Sequence, residues 1–424
     1  MLALEYRTKI IELIKLEVIP AIGCTEPISV ALAVAKTREM LGGIPDFVEV
    51  LLSANVLKNA MGVGIPGTGM YGLPIAIAMG AIAGKPDYGL EVLRDMTPGL
   101  LEQGKLFIQD KKLKVSLKEN IAEKLYIEVV SIRGNDQAKA IISGEHTRFV
   151  YLAKNDEVTL SSRELNTADE AEKGDLHLSF DKVCEFACTT PLDELRFILE
   201  SVEVNKAAAA ESLKGTYGHG VAQTLSGGLM GNNVYTHMLS YTAAACDARM
   251  AGAMIPVMSN SGSGNQGITA TLPVSVFAEE TGKSEEELIR ALTLSHLMTI
   301  YIKQSLGRLS GLCGAVVAAT GSSCGITYLM GGSREQIGFA IKNMIGNITG
   351  MICDGAKPSC ALKVSNGVST ATLSAMMAME NKVVTAVEGI AAEEVDKTIE
   401  NLTKIGRFGM LETDRMILEI MTSK

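Results

Sequence analysis

The stretch Met351-Ile-Cys-Asp-Gly-Ala-Lys-Pro-Ser-Cys-Ala-Leu-Lys363 places two cysteines seven positions apart, in a segment that cannot be helical throughout. Gly355 loosens the backbone, and Pro358 disfavours helix at the residue before it. A turn of this kind can direct the thiols of Cys353 and Cys360 toward one centre. The stretch therefore predicts a break in a helical pattern that brings two thiols together.

A third cysteine of the same kind lies forty positions upstream. Cys313 stands in Gly311-Leu-Cys-Gly314, between glycines that allow close backbone approach. Three thiols in such breaks are what an iron–sulfur cluster with one uncommitted iron would need. The spacing is not that of a standard ferredoxin, and unpaired cysteines are also among the most buried residues of any core. The residue types leave two interpretations open, a shared metal centre or three core thiols.

Composition and charge narrow the class of protein. The chain has 424 residues, a formal charge of −9, eight cysteines and no tryptophan. The length favours two or three domains, and the abundance of Met, Ala and Gly indicates closely packed helices. The negative charge and the lack of a basic run argue against a nucleic-acid partner. Eight cysteines without a recognisable signal peptide favour a reducing, cytoplasmic compartment.

Two long uncharged segments, 61–84 and 309–333, have the length of a membrane span. Both are interrupted by several glycines, and the first also carries Pro66 and Pro74. Neither has a cluster of basic residues on one side. We expect both to be buried helices and loops, with no membrane contact.

The N-terminal part predicts two helices with a cysteine between them. The first runs from Leu4 to Ile19 and is ended by Pro20, and the second begins at Pro27 and stops at Gly42. Cys24 would then precede a helix N-terminus, where the helix dipole favours a thiolate and lowers the thiol pKa. A small residue tucked into a tight turn is the alternative.

The next part predicts strands. A strand over 46–54 leads into Asn55-Val-Leu-Lys-Asn59 and the glycine-rich loop 62–69, which either presents amides to an anion or packs between helices. Further strands are expected over 124–133, 138–142 and 147–153, the first two joined by a turn at Gly134-Asn-Asp136. The charged stretch 154–175 is expected to be a linker.

The remainder of the chain predicts helices almost without interruption. Capping boxes are expected at 190–193, 284–287 and 333–336. The predicted fold class is α+β. We divide it into an N-terminal segment, 1–104, a small α+β module with linker, 105–175, and a helical catalytic domain, 176–424.

One polar loop stands out in the helical half. The segment 256–267 is dense in hydroxyl and amide groups, which need partners if they are buried. A bound amino acid would supply some of these hydrogen-bond partners, whereas a loop exposed to solvent would need no protein or ligand partner. With the asparagines before the glycine-rich loop, the candidate substrate-binding residues are Asn55, Asn59, Ser259, Asn260, Ser261, Asn265 and Gln266. Among five histidines without metal-ligand spacing, only His219 and His237 are site candidates.

These motifs carry a resemblance to a known family. Ile22-Gly-Cys-Thr-Glu-Pro27, Ser259-Asn-Ser-Gly-Ser-Gly-Asn-Gln-Gly267 and the three downstream cysteines resemble the L-cysteine desulfidase family, which is related to the iron–sulfur L-serine dehydratase alpha chains. The similarity runs over most of the chain. It implies a [4Fe–4S] cluster held by Cys313, Cys353 and Cys360, with Cys24 as the catalytic base. Cys324 is a rival ligand that spacing does not exclude.

The resemblance also implies the reaction, β-elimination of L-cysteine to sulfide, ammonia and pyruvate without pyridoxal phosphate. Two alternatives remain open, an iron–sulfur L-serine dehydratase and a non-catalytic cluster protein that binds an amino acid. The close spacing of Cys353 and Cys360 favours the desulfidase branch. A homo-oligomer is compatible with all three.

Overall fold

A computed structural model describes residues 2–121, 123–162, 176–307 and 309–423. The described chain is mostly helical with one six-stranded mixed sheet and one two-stranded sheet, which confirms the α+β class. One large core lies among the helices of the second half, and another lies between the six-stranded sheet and two N-terminal helices.

The large sheet has the strand order β3-β2-β4-β5-β6-β7. Only the β2–β3 pair is parallel. The strands are β2 Phe47–Leu52, β3 Leu113–Leu117, β4 Tyr126–Arg133, β5 Asp136–Ser143, β6 Phe149–Lys154 and β7 Glu157–Ser161. Strand β2 comes from the predicted N-terminal segment, so the sheet contains strands of both that segment and the predicted α+β module. The domain boundaries stay a prediction.

Two N-terminal helices pack against the large sheet, and the helices of the second half form a bundle. In chain order they are α1 Leu4–Glu17, α2 Thr25–Leu41, α3 Ala54–Ala60, α4 Leu73–Ile82, α5 Pro98–Gln109, α6 Phe180–Thr189, α7 Leu192–Leu195, α8 Glu200–Lys214, α9 Val221–Leu225, α10 Val234–Met250, α11 Gly264–Glu280, α12 Glu285–Leu306, α13 Gly314–Leu329, α14 Arg334–Ile348, α15 Cys360–Met379, α16 Val395–Lys404 and α17 Leu411–Thr422. Helix α13 packs against α11, α12, α14 and α15, so it is the centre of the bundle.

The two-stranded sheet links the N-terminus to the bundle. Strand β1, Pro20–Ile22, pairs antiparallel with β8, Pro256–Met258. Helix α2 begins shortly after β1, and α11 begins shortly after β8. The pairing therefore brings the starts of two helices, distant in sequence, to the same place.

Most local sequence signals are confirmed. The first two helices have the predicted extents within two residues, and Gly42 ends α2 in the left-handed conformation. The capping boxes at Ser284 and Ser333 both form. No helix in the described part of the chain is long and apolar enough to cross a membrane.

Two local predictions are wrong. No capping box forms at 190–193, because Pro191 is itself the extended residue before α7 and Asp193 pairs with Arg196 instead. The stretch predicted as a linker contains the edge strand β7, whose residues pair with β6. The rest of that stretch, residues 163–175, lies outside the described residues.

Candidate active site

The three predicted cluster ligands lie on one cavity of about 90 Å³. Leu312 and Ile352 form an antiparallel bridge, flanked by hydrogen bonds from Cys313 N to Met351 O (3.0 Å) and from Cys353 N to Gly311 O (2.8 Å). Cys313 and Cys353 therefore lie on the same face of the bridge as diagonal neighbours, for which alpha carbons are about 7–8 Å apart.

Cys360 reaches the same cavity from the first residue of α15. The turn before it depends on Gly355, which has φ +89°, and a Cβ there would lie 2.3 Å from the carbonyl oxygen of Lys58. Only glycine fits such an approach. The buried Lys58 ammonium donates to the carbonyl of Cys353 at 3.0 Å and pairs with Asp414 on α17 at 2.5 Å. The loop that carries Cys353 is thus tied to two helices.

These thiols suit a cluster better than a single metal ion. Among the described residues, no three His, Cys, Asp or Glu side chains converge closely enough to hold one ion. In a cubane each thiolate binds its own iron, so the sulfurs need not meet at a point. Burial first, and then the charges of Cys353 and Cys360, raise the pKa of Cys313 to about 12. A raised pKa disfavours the thiolate of Cys313 unless positive charge lies beside it, and the irons of a cluster would supply that charge, so the donor set fits an iron–sulfur cluster.

Four helix N-termini line this cavity. Cys24 and Cys313 are the residues immediately before α2 and α13, Ser263 precedes α11, and Cys360 begins α15. Unpaired amides and the helix dipoles favour negative charge at such positions. The cavity is therefore built to receive anions, whether thiolates or a carboxylate.

Cys24 donates from its sulfur to Glu26 at 3.0 Å, and both side chains are buried. Burial and then the charge of Glu26 raise the pKa of Cys24 well above its ordinary value. The expectation of a lowered pKa is wrong, because desolvation and the neighbouring carboxylate outweigh the helix dipole. Burial alone would raise the pKa of Glu26 too, but the charge of His146 and the hydrogen bond from Cys24 lower it below its usual range.

The structure brings two of the seven substrate-binding candidates to the cavity, Asn59 and Asn265. Asn59 donates to Glu26 at 2.9 Å. Asn265 accepts from Arg249 at 3.0 Å. Sequence reasoning missed Glu26, Arg249 and Lys363, since a single charged residue in a helical pattern carries no signal of its own.

The other five candidates serve the framework around the site. Asn55 donates to Asp414, and Ser259 donates to the carbonyl of Ile19. Asn260, Ser261 and Gln266 are buried beside β8 and do not line the cavity. Asn260 bonds to His296 at 3.1 Å, and Ser261 donates to Asn260. Gln266 donates to the carbonyl of Asn260, but its own side-chain oxygen has no hydrogen-bond partner among the described residues. A role in binding substrate stays a prediction that their positions do not favour.

The remaining candidates lie elsewhere. Cys324 is fully buried within α13 and donates to the carbonyl of Thr320, so it does not line the cavity. His237 contacts Glu280 and Asn232 outside the cavity, and His219 lies in an exposed turn. In the loop 62–69, a Cβ on Gly64 would clash with Ala251, so packing is the interpretation that holds there.

A larger groove of about 510 Å³ lies between α3, β3 and α17. Its lining is mainly apolar and includes no cysteine, histidine or basic residue. Among its lining residues only Glu419 carries a group that could transfer a proton, and no second carboxylate lies beside it there. The smaller, polar cavity is therefore the candidate active site.

The chain is similar in sequence to proteins of a known family. Residues 87–419 match the serine dehydratase alpha chain family. The chain is 66% identical over 422 residues to a UPF0597 protein of Bacteroides fragilis, covering 99% of this chain and 98% of the relative. UPF0597 proteins of Porphyromonas gingivalis and Oleidesulfovibrio alaskensis are 56% and 46% identical, each with 98% of both chains covered. The chain belongs to the UPF0597 family and carries a serine dehydratase alpha-chain domain.

Proposed function

We propose that this protein catalyses β-elimination of L-cysteine to sulfide, ammonia and pyruvate, with a [4Fe–4S] cluster held by Cys313, Cys353 and Cys360. One observation carries the proposal: three thiols and the Cys24–Glu26 pair line one cavity surrounded by helix N-termini. The serine dehydratase alpha-chain domain supports elimination from a small amino acid. When bound, the cluster would supply a Lewis-acidic iron that stabilises charge on the leaving group.

The chain's own residues would move the proton. Cys24 is protonated at rest and already donates to the Glu26 carboxylate. Transfer of that proton to Glu26 is uphill, because the pKa of Cys24 is raised and that of Glu26 is lowered, so the thiolate would form only transiently before it takes the α-hydrogen of the substrate. Loss of sulfide from the β-carbon yields aminoacrylate, and the proton held by Glu26 leaves with the sulfide, which returns the site to its starting state. Water then converts aminoacrylate to pyruvate and ammonia. Because the pKa of Cys24 is raised, its thiolate is a stronger base. Glu26 allows that thiolate to form by accepting the thiol proton.

The test is anaerobic purification followed by iron and sulfide assays. We expect about four irons per chain and broad visible absorbance. Alanine at Cys313, Cys353 or Cys360 should abolish both, whereas Cys184→Ala and Cys188→Ala, whose thiols lie outside the cavity, should not. Iron-free protein that releases sulfide from L-cysteine at full rate would refute the cluster assignment.

L-Serine is the second candidate substrate, favoured by the family that the chain matches. The two amino acids differ only in the β-substituent. A thiol ionises more readily than a hydroxyl, and its thiolate is the softer ligand for iron. We therefore expect a higher kcat/KM for L-cysteine than for L-serine on one anaerobic preparation. The reverse order would make the protein a serine dehydratase and leave the roles of the four cysteines unchanged, and binding without turnover of either would identify a non-catalytic protein.

A further inference from the structure

Arg249 is a buried cation without an anionic partner. It lies in the last turn of α10, its residue exposure is 2%, and it lines the candidate active site. Its guanidinium donates to two neutral acceptors, the carbonyl of Gly23 at 3.1 Å and the side chain of Asn265 at 3.0 Å. Within the described part of the chain, no carboxylate lies within ion-pair distance of it. Burying an uncompensated charge is costly, so an anion in the cavity would stabilise this arrangement.

The backbone around Arg249 is shaped to hold it in place. A Cβ on Gly264 would lie 2.3 Å from the Arg249 Nε, so the side chain lies directly against the start of α11. Ser263 and Asn265, at that helix start, line the same cavity as Arg249. A planar fork of N–H donors beside free amides matches a carboxylate group. The bond to Gly23 also fixes the guanidinium one residue from Cys24.

Asn59 supplies a hydrogen-bond acceptor to the cavity, whereas Arg249 supplies donors. Its amide nitrogen donates to Glu26, which fixes which way the amide points. Its oxygen, Oδ1, is buried and has no hydrogen-bond partner among the described residues. A buried acceptor without a donor costs about 1–3 kcal/mol. An ammonium group in the cavity would satisfy it, with the Glu26 carboxylate alongside.

We propose that the cavity is a binding site for the zwitterion of an α-amino acid, with Arg249 and the start of α11 holding the carboxylate and Asn59 Oδ1 accepting from the ammonium. The inference rests on the proposed function only in the identity of the ligand as an amino acid. It adds the two anchors that would orient the α-carbon toward Cys24.

Two small compounds related to cysteine, each lacking one of its two charged groups, test the carboxylate anchor and the ammonium anchor separately. 3-Mercaptopropionate has the carboxylate without the amine, and cysteamine has the amine without the carboxylate. Arg249→Gln should weaken 3-mercaptopropionate by about 10- to 100-fold, the cost of a charge-assisted hydrogen bond, and leave cysteamine within about twofold. Asn59→Leu should do the reverse. Direct calorimetric titration of each compound measures both, whether or not the protein turns over L-cysteine.

Controls keep structural damage apart from loss of an anchor. Arg290→Gln removes another partly buried arginine, which bonds to the carbonyls of Ala187 and Thr190 away from the cavity, and it should change neither affinity. Arg249→Lys keeps the charge and should recover part of the affinity for 3-mercaptopropionate. Equal losses for both compounds in Arg249→Gln would overturn the proposal. The proposal would also be overturned if the wild-type protein bound propionate no more tightly than propanol, and this measurement needs no variant. If selective binding is intact but no sulfide is released, only the proposed reaction is refuted.

Discussion

At the scale of single residues, the chemistry depends on a carboxylate that the sequence does not single out. Glu26 accepts hydrogen bonds from Cys24, Thr25 and Asn59, with distances of 2.9–3.0 Å. Those bonds and the charge of His146 keep it ionised despite its burial. The pair of a protonated thiol and an ionised carboxylate is what a buried proton relay requires.

Replacing Cys24 should therefore separate catalysis from cluster assembly. We expect Cys24→Ala to retain iron and the visible spectrum but to lose about 10²- to 10⁴-fold in kcat, since a general base acts on the rate. Glu26→Gln should also lower kcat, because the amide cannot take the thiol proton. Iron analysis and sulfide release, measured on the same samples, check this. Near wild-type turnover in Cys24→Ala would assign the base to another residue.

His296 makes a prediction about stability and pH. It is fully buried, and desolvation lowers its pKa from 6.5 to about 3. Between about pH 6.5 and pH 3, the unfolded chain binds a proton at His296 that the folded chain does not. The free energy of unfolding therefore falls as the pH drops through this range. The slope should be about 1 kcal/mol per pH unit. His296→Gln should flatten the fall in melting temperature between pH 7 and 5, whereas His177→Gln, at an exposed position, should not.

At the scale of elements, α17 supports the loop that carries Cys353. Asp414 on this helix pairs with the buried Lys58, and Lys58 donates to the Cys353 carbonyl. Met410, just before α17, and Asp414 also approach Gly311, whose carbonyl bonds to Cys353. Helix α17 and the residue before it thus reach the site through one buried ion pair and through close packing of Met410 and Asp414 against Gly311.

Breaking that pair should loosen the site. Lys58→Met leaves Asp414 without its partner and should lower the free energy of unfolding by about 3–5 kcal/mol, the usual cost of orphaning one member of a buried pair. The variant should also retain less iron after anaerobic desalting. The double variant Lys58→Met with Asp414→Leu should recover much of the stability. Lys114→Met, which removes an exposed pair with Glu49, should have no measurable effect on either property. Unchanged stability and iron content in Lys58→Met would show that the loop holds its shape without this pair.

At the scale of the whole molecule, the site is assembled from segments far apart in the chain. Pairing of β1 with β8 brings the start of α2 to the start of α11, and the bridge at Leu312 and Ile352 brings Cys313 to Cys353. The bundle packs around α13, which begins at the residue after Cys313. Four helix N-termini then face one cavity, a concentration of positive potential that no single helix could provide.

The sequence by itself determined the elements and the thiols. The end of α1 before Pro20, the end of α2 at Gly42, two capping boxes, the β4–β5 turn and the α+β class follow from local backbone preferences, which act within a few residues. The same local logic placed Cys313, Cys353 and Cys360 in breaks of the helical pattern. It failed at Pro191 and β7, where the position of a cap and pairing with a neighbouring strand overrode the local pattern.

Only the tertiary structure decided which polar residues face the cavity. Ser259, Asn260 and Asn265 belong to one motif, yet Ser259 bonds to the backbone of Ile19, Asn260 bonds to His296, and only Asn265 reaches the site. The pKa of Cys24 was likewise set by burial and by Glu26 rather than by the helix start that the sequence shows. Burial, hydrogen-bond partners and charge balance are properties of neighbours in space, and the packing of distant segments chooses those neighbours.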